Sequence, residues 1–395
     1  MWNLYGKQYN LTSFAKTHPG GSEIIEKTKD LSDCTALFES YHAFSNIEGF
    51  RQTLAKYEVP NESGSAPVAY QQDFTTYREL VARVKTLYKT RESIKAPLHW
   101  HIWTGLLGFS YFYFMWRALF ANYMLSRAFF VLAGIFTESS FLFNVLHDAS
   151  HYAVSTDPRV NNMVSRASTS WVGWNHVLWL YHHVYYHHSY TGGKLDPDHK
   201  LYHVEHYIKF PEYSVLVLYC VFPGQFVGQG LWYVYTAFVG KLVFKSCPPL
   251  PLPESNYYQP ADVFIIACKL ALLYNLGWVS SILYLVTGNT LYFINIIGDH
   301  DLYETHENNY DGNDWALRQI RNSGNFANDN LLWTRWFGGI NYQIEHHLFP
   351  NMCNLHYSEI APIVEAFCLE RGIPYVKKAT VEDVYRSFMK KTRIN

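Results

Sequence analysis

Three short segments of the chain concentrate residue types that bind metals. Their letters are HDASH, HHVYYHHS and QIEHH, and imidazole side chains recur in them at about one helical turn. Neutral imidazole suits iron, copper or zinc, whereas an apolar core has little use for a ring that is polar at both nitrogens. The candidate catalytic and metal-binding residues are His147, His151, His183, His187, His188, Gln343, His346 and His347.

The number of candidates favours more than one metal ion. A zinc-type site needs about four ligands, and the three segments supply enough for two ions. A lone pair such as His147 and His151 arises by chance on many helices, so the first segment alone is weak evidence. In the third segment, Gln343, His346 and His347 would share one helical face. Together the segments predict a metal cluster.

The composition excludes some partners and favours a membrane. The 395 residues include 32 Lys+Arg and 33 Asp+Glu, so the formal net charge of −1 makes a nucleic-acid partner unlikely. Aromatic residues make up 18% of the chain and charged residues only 16%. Such an excess of amphipathic rings is typical of proteins with much membrane interface. The six cysteines are scattered without a CxxC motif, which indicates neither a disulfide framework nor a thiolate zinc site.

The helices around these segments must bring them to one side of a membrane. Residues 101–121 and 129–146 are apolar and predict two spans that return the chain to His147. We interpret residues 261–298 as a second hairpin. The stretch 213–239 is broken by Gly and Gln, which favours an in-plane or re-entrant helix. Alternatively, this stretch and one helix of the later block both cross the membrane.

Two features of these segments have both a structural and a functional interpretation. Residues 61–97 predict a linker and then an amphipathic helix, with apolar residues at Leu80, Val84 and Leu87. That helix packs on protein or lies on the membrane surface, and we favour the surface because a span follows directly. Glu138 lies inside the second span, where a buried acid is costly, and it is either functional or a hydrogen-bonded structural carboxyl.

The first 60 residues have the pattern of a small separate domain. His18 is followed by proline, which fixes the backbone, and by two glycines, which permit close approach of a flat ligand. By itself this motif also fits a turn that ends a helix. A second histidine, His42, follows an apolar helical stretch. The segment resembles cytochrome b5, and the resemblance implies a haem b held by His18 and His42 as axial ligands.

Nearly the whole chain resembles the front-end fatty acid desaturases. HDASH, HVYYHHSYTG and GGINYQIEHH match that family's three histidine boxes, and Gln343 in place of a histidine marks the front-end subgroup. The resemblance implies that His300 adds a further metal ligand, with Asn295 and Asp299 as groups behind the ligands. It extends to an acidic motif after the second box, which contains Asp196 and Asp198.

The resemblance also implies the architecture. The expected fold class is an α-helical membrane protein with about four transmembrane helices and a cytosolic di-iron cap, joined to an N-terminal α+β cytochrome b5-like domain. The expected divisions are a haem-binding domain at 1–60, a linker and amphipathic helix at 61–97, and a desaturase domain at 98–395. The N-terminus has no apolar leader, so we expect a multi-pass endoplasmic reticulum protein with both termini cytosolic.

The implied reaction follows from the family. A front-end acyl desaturase inserts a cis double bond between an existing double bond and the carboxyl end of a polyunsaturated fatty acyl chain, at a delta-4, delta-5, delta-6 or delta-8 position. The implied cofactors are two non-haem iron ions and haem b, with O2 as co-substrate. The implied partners are NADH-cytochrome b5 reductase, a polyunsaturated acyl lipid or acyl-CoA, and the membrane.

Other functions compete with this interpretation. A sphingoid-base desaturase would use the same scaffold and the same boxes. A membrane electron carrier would have inactive boxes, but all three boxes are intact. A divalent-metal transporter would need ionisable residues near the middle of its spans, whereas the histidines cluster at span ends.

Overall fold

The computed structural model describes residues 1–29, 31–60, 72–171, 176–193, 195–197, 241–242, 250–251 and 259–392. The predicted in-plane stretch 213–239, most of the predicted linker (61–71) and Asp198 lie outside the described residues. The described part of the chain is mostly helical, as the apolar patterns predict.

The N-terminal part of the chain combines a small sheet with short helices. The strands are β1 (Trp2–Leu4), β2 (Lys7–Tyr9) and β3 (Glu58–Val59), and the helices are α1 (Thr12–Ala15), α2 (Ser22–Lys27), α3 (Thr35–Tyr41) and α4 (Ile47–Ala55). The sheet is antiparallel with β2 in its centre, pairing Trp2 with Tyr9 and Gln8 with Val59. This mixture of sheet and helix agrees with the α+β prediction for the haem domain.

Helix α5 (Thr75–Val84) lies on protein and not on a membrane surface. Its apolar residues Leu80 and Val84 are completely buried in a core shared with the C-terminal part of the chain. On its polar side, Arg83 pairs with Glu370 at an N–O distance of 2.6 Å. The membrane-surface interpretation of this helix is therefore wrong, because its apolar stripe is covered by residues distant in sequence.

Two long helices follow and contact each other along their length. They are α6 (Leu98–Leu119) and α7 (Met124–Phe141). A π-helical turn, Leu142–Leu146, continues α7 directly into α8 (His147–Ser150), which carries the first histidine box. The predicted first hairpin thus delivers His147 to the end of a long apolar helix.

The next elements include the second histidine box and the second apolar pair. They are α9 (Pro158–Trp171), α10 (His176–Trp179), a π-helical segment (Leu180–His187), α11 (His188–Tyr190), strands β4 (Lys241–Leu242) and β5 (Leu250–Pro251), α12 (Pro260–Leu276) and α13 (Trp278–Asp299). Gly277, with φ at +81°, separates α12 from α13. The Ser281 hydroxyl donates to the Leu273 carbonyl at 2.6 Å, so the chain folds back on itself as the predicted hairpin requires.

The remaining elements form a cap over the ends of the long helices. They are α14 (Tyr303–Glu307), α15 (Trp315–Arg321), β6 (Asn325–Phe326), α16 (Leu331–Trp336), α17 (Gln343–Leu348), a 3-10 turn (Asn354–His356), α18 (Tyr357–Glu370), β7 (Lys377–Lys378) and α19 (Val381–Thr392). Strands β6 and β7 pair in parallel. Helix α17 carries the third histidine box and is completely buried.

Within the described residues, two helical runs are long and apolar enough to cross a membrane. These are Met124–Ser150, which contains α7, and Trp278–Glu307, which contains α13. Each run belongs to a different predicted hairpin, and each ends at a histidine-bearing part of the cap. The helical, membrane-associated character of the fold therefore agrees with the prediction.

A buried ion pair ties the two hairpins together. Glu138 of α7 accepts from the Lys269 ammonium of α12 at 2.6 Å. The hydroxyl of Tyr284 also contacts this ammonium, and Tyr111 approaches it at 3.4 Å. A buried carboxylate is costly unless it is paired and hydrogen-bonded, so this geometry favours the structural interpretation of Glu138.

Gly338 should tolerate no side chain, because it packs against the backbone at the end of α7. Its φ is +62°, and an added Cβ would lie 2.3 Å from the carbonyl oxygen of Phe143. We expect Gly338→Ala to lower the free energy of unfolding by more than about 2 kcal/mol, since the left-handed backbone alone costs about 1–2 kcal/mol. Thermal unfolding of the purified protein in detergent measures the loss.

Gly372→Ala is the matched control for this substitution. Gly372 has a nearly identical φ of +61°, but an added Cβ would meet nothing within 4 Å. It therefore carries the backbone cost without the steric clash. Equal losses of stability in the two variants would contradict the steric part of the prediction.

Candidate metal and haem sites

The three histidine boxes meet in one buried cluster inside the cap. Its ligand atoms form three overlapping groups, and the atoms of each group lie within 4.8 Å of one another. The groups are His147, His151, His183 and His346; His187, His300 and His347; and His188, His346 and His347. Because the third group shares one histidine with each of the others, the arrangement is a single cluster with two ends. This is the form expected of a site for two metal ions.

Distances between imidazole nitrogens match those of ligands around a common ion. The Nε2 atoms of His147 and His183 are 3.2 Å apart, and those of His188 and His346 are 3.0 Å apart. Two nitrogens that each lie about 2.1 Å from an ion, at right angles, are about 3.0 Å from each other. The spacing therefore fits metal ligation without rearrangement of the boxes.

Hydrogen bonds on the outer ring nitrogens fix which nitrogen faces the cluster. Nδ1 of His187 donates to the Asp196 carboxylate at 2.9 Å, and Nδ1 of His347 donates to Gln319 Oε1 at 2.8 Å. Nδ1 of His300 donates to a backbone carbonyl at 2.8 Å. A neutral imidazole has a single N–H, so in these three residues Nε2 carries the lone pair, which is the form that binds a metal.

Burial keeps the imidazoles neutral. The pKa values of His183, His346 and His347 lie well below the usual range. Desolvation by burial is the largest cause, and repulsion by the neighbouring imidazoles adds to it. Nε2 of His151 is buried and makes no hydrogen bond within the described residues. Neutral nitrogen donors with lone pairs directed at one another fit a metal centre, and would be poorly satisfied as ordinary core packing.

Helix geometry distributes the doubled histidines between the two ends of the cluster. Successive residues of a helix point about 100° apart, so on α17 His346 joins the first group and His347 the second. Both neighbours also belong to the third group, with His188, so they link the two ends of the cluster. In the second box, the π-helical segment Leu180–His187 replaces the expected α-helix and ends directly before His188. Rare π-helical turns occur frequently at functional sites.

Gln343 lies inside the second group of the cluster. Its side-chain nitrogen is 3.1 Å from Nε2 of His300 and 3.2 Å from Nε2 of His347. Its Oε1 is buried and has no hydrogen-bond partner in the described part of the chain. A half-turn of the amide exchanges these two atoms, so the carbonyl oxygen can take the inner place and face a metal ion.

The structure brings together all the residues predicted as metal ligands, namely the eight histidines of the three groups and Gln343 beside them. His182 is buried but belongs to none of the groups found among the described residues. Glu345 is turned away from the cluster and accepts from Asn325 and Tyr375, each at 2.8 Å. Burial raises the pKa of Glu345 to about 7.

Asp196 of the acidic motif and the two residues predicted to lie behind the ligands, Asn295 and Asp299, have different outcomes. Asp196 takes that position, since its carboxylate accepts from both His187 and the backbone N–H of Gly192. Asn295 donates instead to a backbone carbonyl of its own helix. Asp299 is buried next to His300 in sequence, and its Oδ1 makes no hydrogen bond within the described residues.

Several side chains behind the ligands were not predicted from the sequence. Gln319 belongs to no motif, although its side-chain oxygen accepts from Nδ1 of the ligand candidate His347. The Tyr357 hydroxyl lies 3.1 Å from Nδ1 of His346, and the Tyr41 hydroxyl lies 2.9 Å from Nδ1 of His151. These contacts join separate elements of the chain, so spacing within a box gives no signal for them.

Gln319 is expected to determine how firmly His347 binds metal. Gln319→Leu keeps a similar volume and removes the acceptor at His347 Nδ1, so metal affinity should fall about 10- to 100-fold. Retention of iron against increasing chelator concentration measures this affinity. Gln52→Leu, at an exposed glutamine of the N-terminal domain, is the control. Iron retention equal to that of the unmodified protein would contradict the assigned role.

A second site lies between His18 and His42, whose ring centroids are 6.2 Å apart. Two imidazoles on opposite sides of one iron, each about 2.0 Å from it, have centroids about 6 Å apart. Nδ1 of His18 donates to the carbonyl of Gly21 at 3.0 Å, and Nδ1 of His42 donates to that of Phe38 at 2.7 Å. The other ring nitrogen of each histidine is therefore left as the ligand atom.

The cavity around these two histidines suits a flat apolar group. Apolar side chains that line it include Leu11, Phe14, Ile24, Leu37 and Leu54. Burial lowers the pKa of His42 to about 4 and also lowers that of His18, which keeps both in the ligand form. A Cβ on Gly20 would lie 2.6 Å from the His18 ring, so the glycine leaves room for that ring.

Histidine sites that fit a haem and a metal centre, in one chain with helices able to cross a membrane, are typical of a membrane oxidoreductase. Residues 123–379 match the family described as Fatty acid desaturase, and residues 2–61 match the Cytochrome b5-like Heme/Steroid binding domain. The protein therefore belongs to the fatty acid desaturase family, as a cytochrome b5-fused front-end desaturase with haem and di-iron cofactors.

Curated relatives agree with this membership. The chain is 29% identical to the acyl-lipid (8-3)-desaturase of Physcomitrium patens, over 95% of this chain and 84% of that protein. It is 25% identical to the acyl-lipid (8-3)-desaturase of Mortierella alpina, over 99% and 92% respectively. It is 29% identical to the sn-1 linoleoyl-lipid 6-desaturase of Synechocystis sp., over 63% of this chain and 76% of the relative.

Proposed function

We propose that the protein inserts a cis double bond between an existing double bond and the carboxyl end of a polyunsaturated fatty acyl chain, with delta-5 as the first regiochemistry to test. Relatives aligned over 94–99% of the chain are named acyl-lipid (8-3)-, (7-3)- or Delta(5) desaturases. Two named 6-desaturases align over only 63% and 66%. The two relatives named Delta(5) desaturases, aligned over 98% and 94% of the chain, support delta-5 as the first position to test.

The observation that carries the front-end assignment is the position of Gln343. The residue that distinguishes the front-end subgroup lies 3.1–3.2 Å from two ligand histidines, His300 and His347. A substitution on the surface of the cap could be neutral, but an amide inside the cluster changes the ligand set itself. The third box therefore differs from an all-histidine box at the metal centre.

We assign the residues of the site as follows. The ligands of two iron ions are His147, His151, His183, His187, His188, His300, Gln343, His346 and His347. The axial ligands of the haem are His18 and His42. The support for both sets is the convergence of ring nitrogens at ligand spacing.

When bound, the di-iron centre supplies oxygen chemistry at an unactivated methylene pair, and the haem supplies single electrons. The chain's own residues position and shield that chemistry. Asp196 and Gln319 keep the outer N–H groups of two ligands occupied, so that the inner nitrogens stay aligned. Complete burial of His346 and His347 excludes bulk water from the centre.

We propose four membrane spans, two from each hairpin. Helix α6 has 22 residues, which gives about 33 Å at about 1.5 Å per residue. Its side chains Phe109 and Phe120 are 72% and 71% exposed, and Phe264 on α12 is 69% exposed, as lipid-facing residues would be. His147 and His300 each follow a hairpin and both belong to the histidine cluster, so they lie on the same side of the membrane. An even number of crossings therefore separates them.

The same argument gives the proposed topology. The N-terminal domain contacts the cap, and the C-terminal helices are part of it, so the two termini lie on one side of the membrane. We place that side in the cytosol and the membrane in the endoplasmic reticulum. We place the division of the chain at 1–60, 61–97 and 98–395. NADH-cytochrome b5 reductase is the proposed electron donor, because a fused cytochrome b5-like domain needs an external source of electrons.

Expression in yeast fed with separate di-, tri- and tetra-unsaturated fatty acids tests the proposal. The expected product has one new cis bond on the carboxyl side of an existing bond, and its position gives the regiochemistry. A new bond at another front-end position would replace the delta-5 assignment. Absence of any new fatty acid, with the protein in membranes and its haem reducible, would contradict the proposal and favour sphingoid bases as substrate.

A further inference from the structure

The N-terminal domain packs against the desaturase part of the chain through a shared apolar core. Buried residues of the domain such as Trp2 and Leu37 lie in one cluster with Leu146 and Tyr185 from the rest of the chain. Polar contacts supplement this core: the Tyr181 hydroxyl donates to the Lys27 carbonyl at 2.5 Å. The haem site and the metal cluster are thus held in a fixed relation.

The wall of the haem cavity is not formed by the N-terminal domain alone. Besides residues of the N-terminal domain, it is lined by Arg91, Lys95, Tyr152 and Asn351. The Lys95 ammonium donates to the backbone carbonyls of Tyr152 and Asn351 at 2.8 and 2.9 Å. The wall of the cavity therefore includes the residue that directly follows the metal-ligand candidate His151.

Tyr41 connects the two sites. It directly precedes the axial ligand candidate His42, and its side chain lines the haem cavity. Its hydroxyl lies 2.9 Å from Nδ1 of His151, whose Nε2 belongs to the metal cluster. The Asn351 side chain donates to the Tyr41 carbonyl at 2.9 Å, which fixes this part of α3 to the cap.

Tyr152 provides a reciprocal contact from the other side. It follows His151 in the chain, also lines the haem cavity, and its ring centroid lies 6.4 Å from that of Tyr41. Its φ of +58° is a left-handed conformation that non-glycine residues rarely adopt. Strained backbone of this kind is retained where surrounding contacts enforce it, often at functional sites.

We propose that an electron passes from the haem to the metal centre through Tyr41, by the sequence His42, Tyr41, His151. In each transfer the haem iron goes from ferrous to ferric and one iron of the cluster goes from ferric to ferrous. No covalent bond changes, and the hydroxyl proton stays within its hydrogen bond. The inference rests on the proposed ligand sets, but not on the proposed regiochemistry.

Flash photoreduction of the oxidised, anaerobic full-length holoenzyme tests the route. A photoreductant delivers one electron to the haem, and the loss of ferrous haem absorbance then reports transfer to the metal centre. We expect Tyr41→Phe to slow this step at least about tenfold, with unchanged haem spectrum, haem potential and iron content. No fatty acid is needed, so this result is separate from the feeding experiment.

Two matched tyrosine variants separate the route from docking and from metal binding. Tyr181→Phe removes a hydroxyl across the same interface that reaches no ligand. Tyr357→Phe removes a hydroxyl behind a ligand, His346, but away from the haem cavity. Tyr181→Phe should transfer the electron within about twofold of the unmodified rate, and Tyr357→Phe should slow the transfer less than Tyr41→Phe does.

Three outcomes would overturn the proposal. The first is an unchanged rate in Tyr41→Phe. The second is equal slowing in Tyr181→Phe, which would assign the effect to docking. The third is loss of iron from Tyr41→Phe, which would mean that the hydroxyl holds His151 in place and does not carry the electron.

Discussion

His347→Ala should abolish desaturation while leaving the haem spectrum intact. His347 is completely buried, belongs to two of the three metal groups and contacts Gln343 at 3.2 Å, so its loss affects the second group and the third group that links the two ends of the cluster. Loss of a residue that only supports a ligand costs about 10- to 100-fold in metal affinity, and loss of the ligand should cost at least the upper part of that range. New fatty acid in yeast and iron content of the purified protein measure the effect.

The control for this substitution is His306→Ala. His306 is exposed and belongs to none of the metal groups found in the described ranges. It should retain activity and iron. Loss of the haem spectrum in His347→Ala would indicate misfolding, and full desaturation by that variant would contradict the ligand assignment.

His42→Ala should remove haem absorbance and leave the iron of the cluster in place. The two axial candidates face each other across one apolar cavity, and removal of either leaves a single protein nitrogen for the haem. Activity with reductase and NADH should fall at least about tenfold, by analogy with the loss of any metal-ligating group. The assay uses purified protein, because cytochrome b5 of a yeast host would mask the defect.

Two observations decide whether this prediction holds. His42→Ala should lose its haem absorbance and keep the iron of the cluster, since the cluster ligands come from other segments. Haem absorbance that persists at its normal position would contradict the pair of axial histidines. Loss of both haem and cluster iron would instead show that the N-terminal domain is needed for folding of the cap.

The sequence determined the metal chemistry of this protein to a large extent. Spacing inside each histidine box is local, and imidazole has few other uses at such density, so the ligand candidates could be read before the fold was known. His18 and His42 were predicted from the resemblance to cytochrome b5, because the glycines and proline beside the first of them also fit a turn that ends a helix. The two apolar hairpins were predictable because length and composition suffice for membrane helices.

Contacts between distant segments could only come from the tertiary structure. Apolar spacing identified α5 as amphipathic but could not show that Leu80 faces protein and not lipid. Gln319, although central to the hydrogen bonding of His347, has no signal in the sequence. Division of the doubled histidines between two ends of the cluster depends on where neighbouring helices place their partners.

Tyr41 illustrates this difference most clearly. The sequence places it beside an axial haem ligand, and nothing local distinguishes it from the protein's other tyrosines. Only the docking of the N-terminal domain brings its hydroxyl to His151, 110 positions further along the chain. The sequence alone predicted the candidate ligands of each centre, because ligation depends on residue type and short-range spacing. The tertiary structure decided how the centres are connected, because that depends on which buried surfaces pack together.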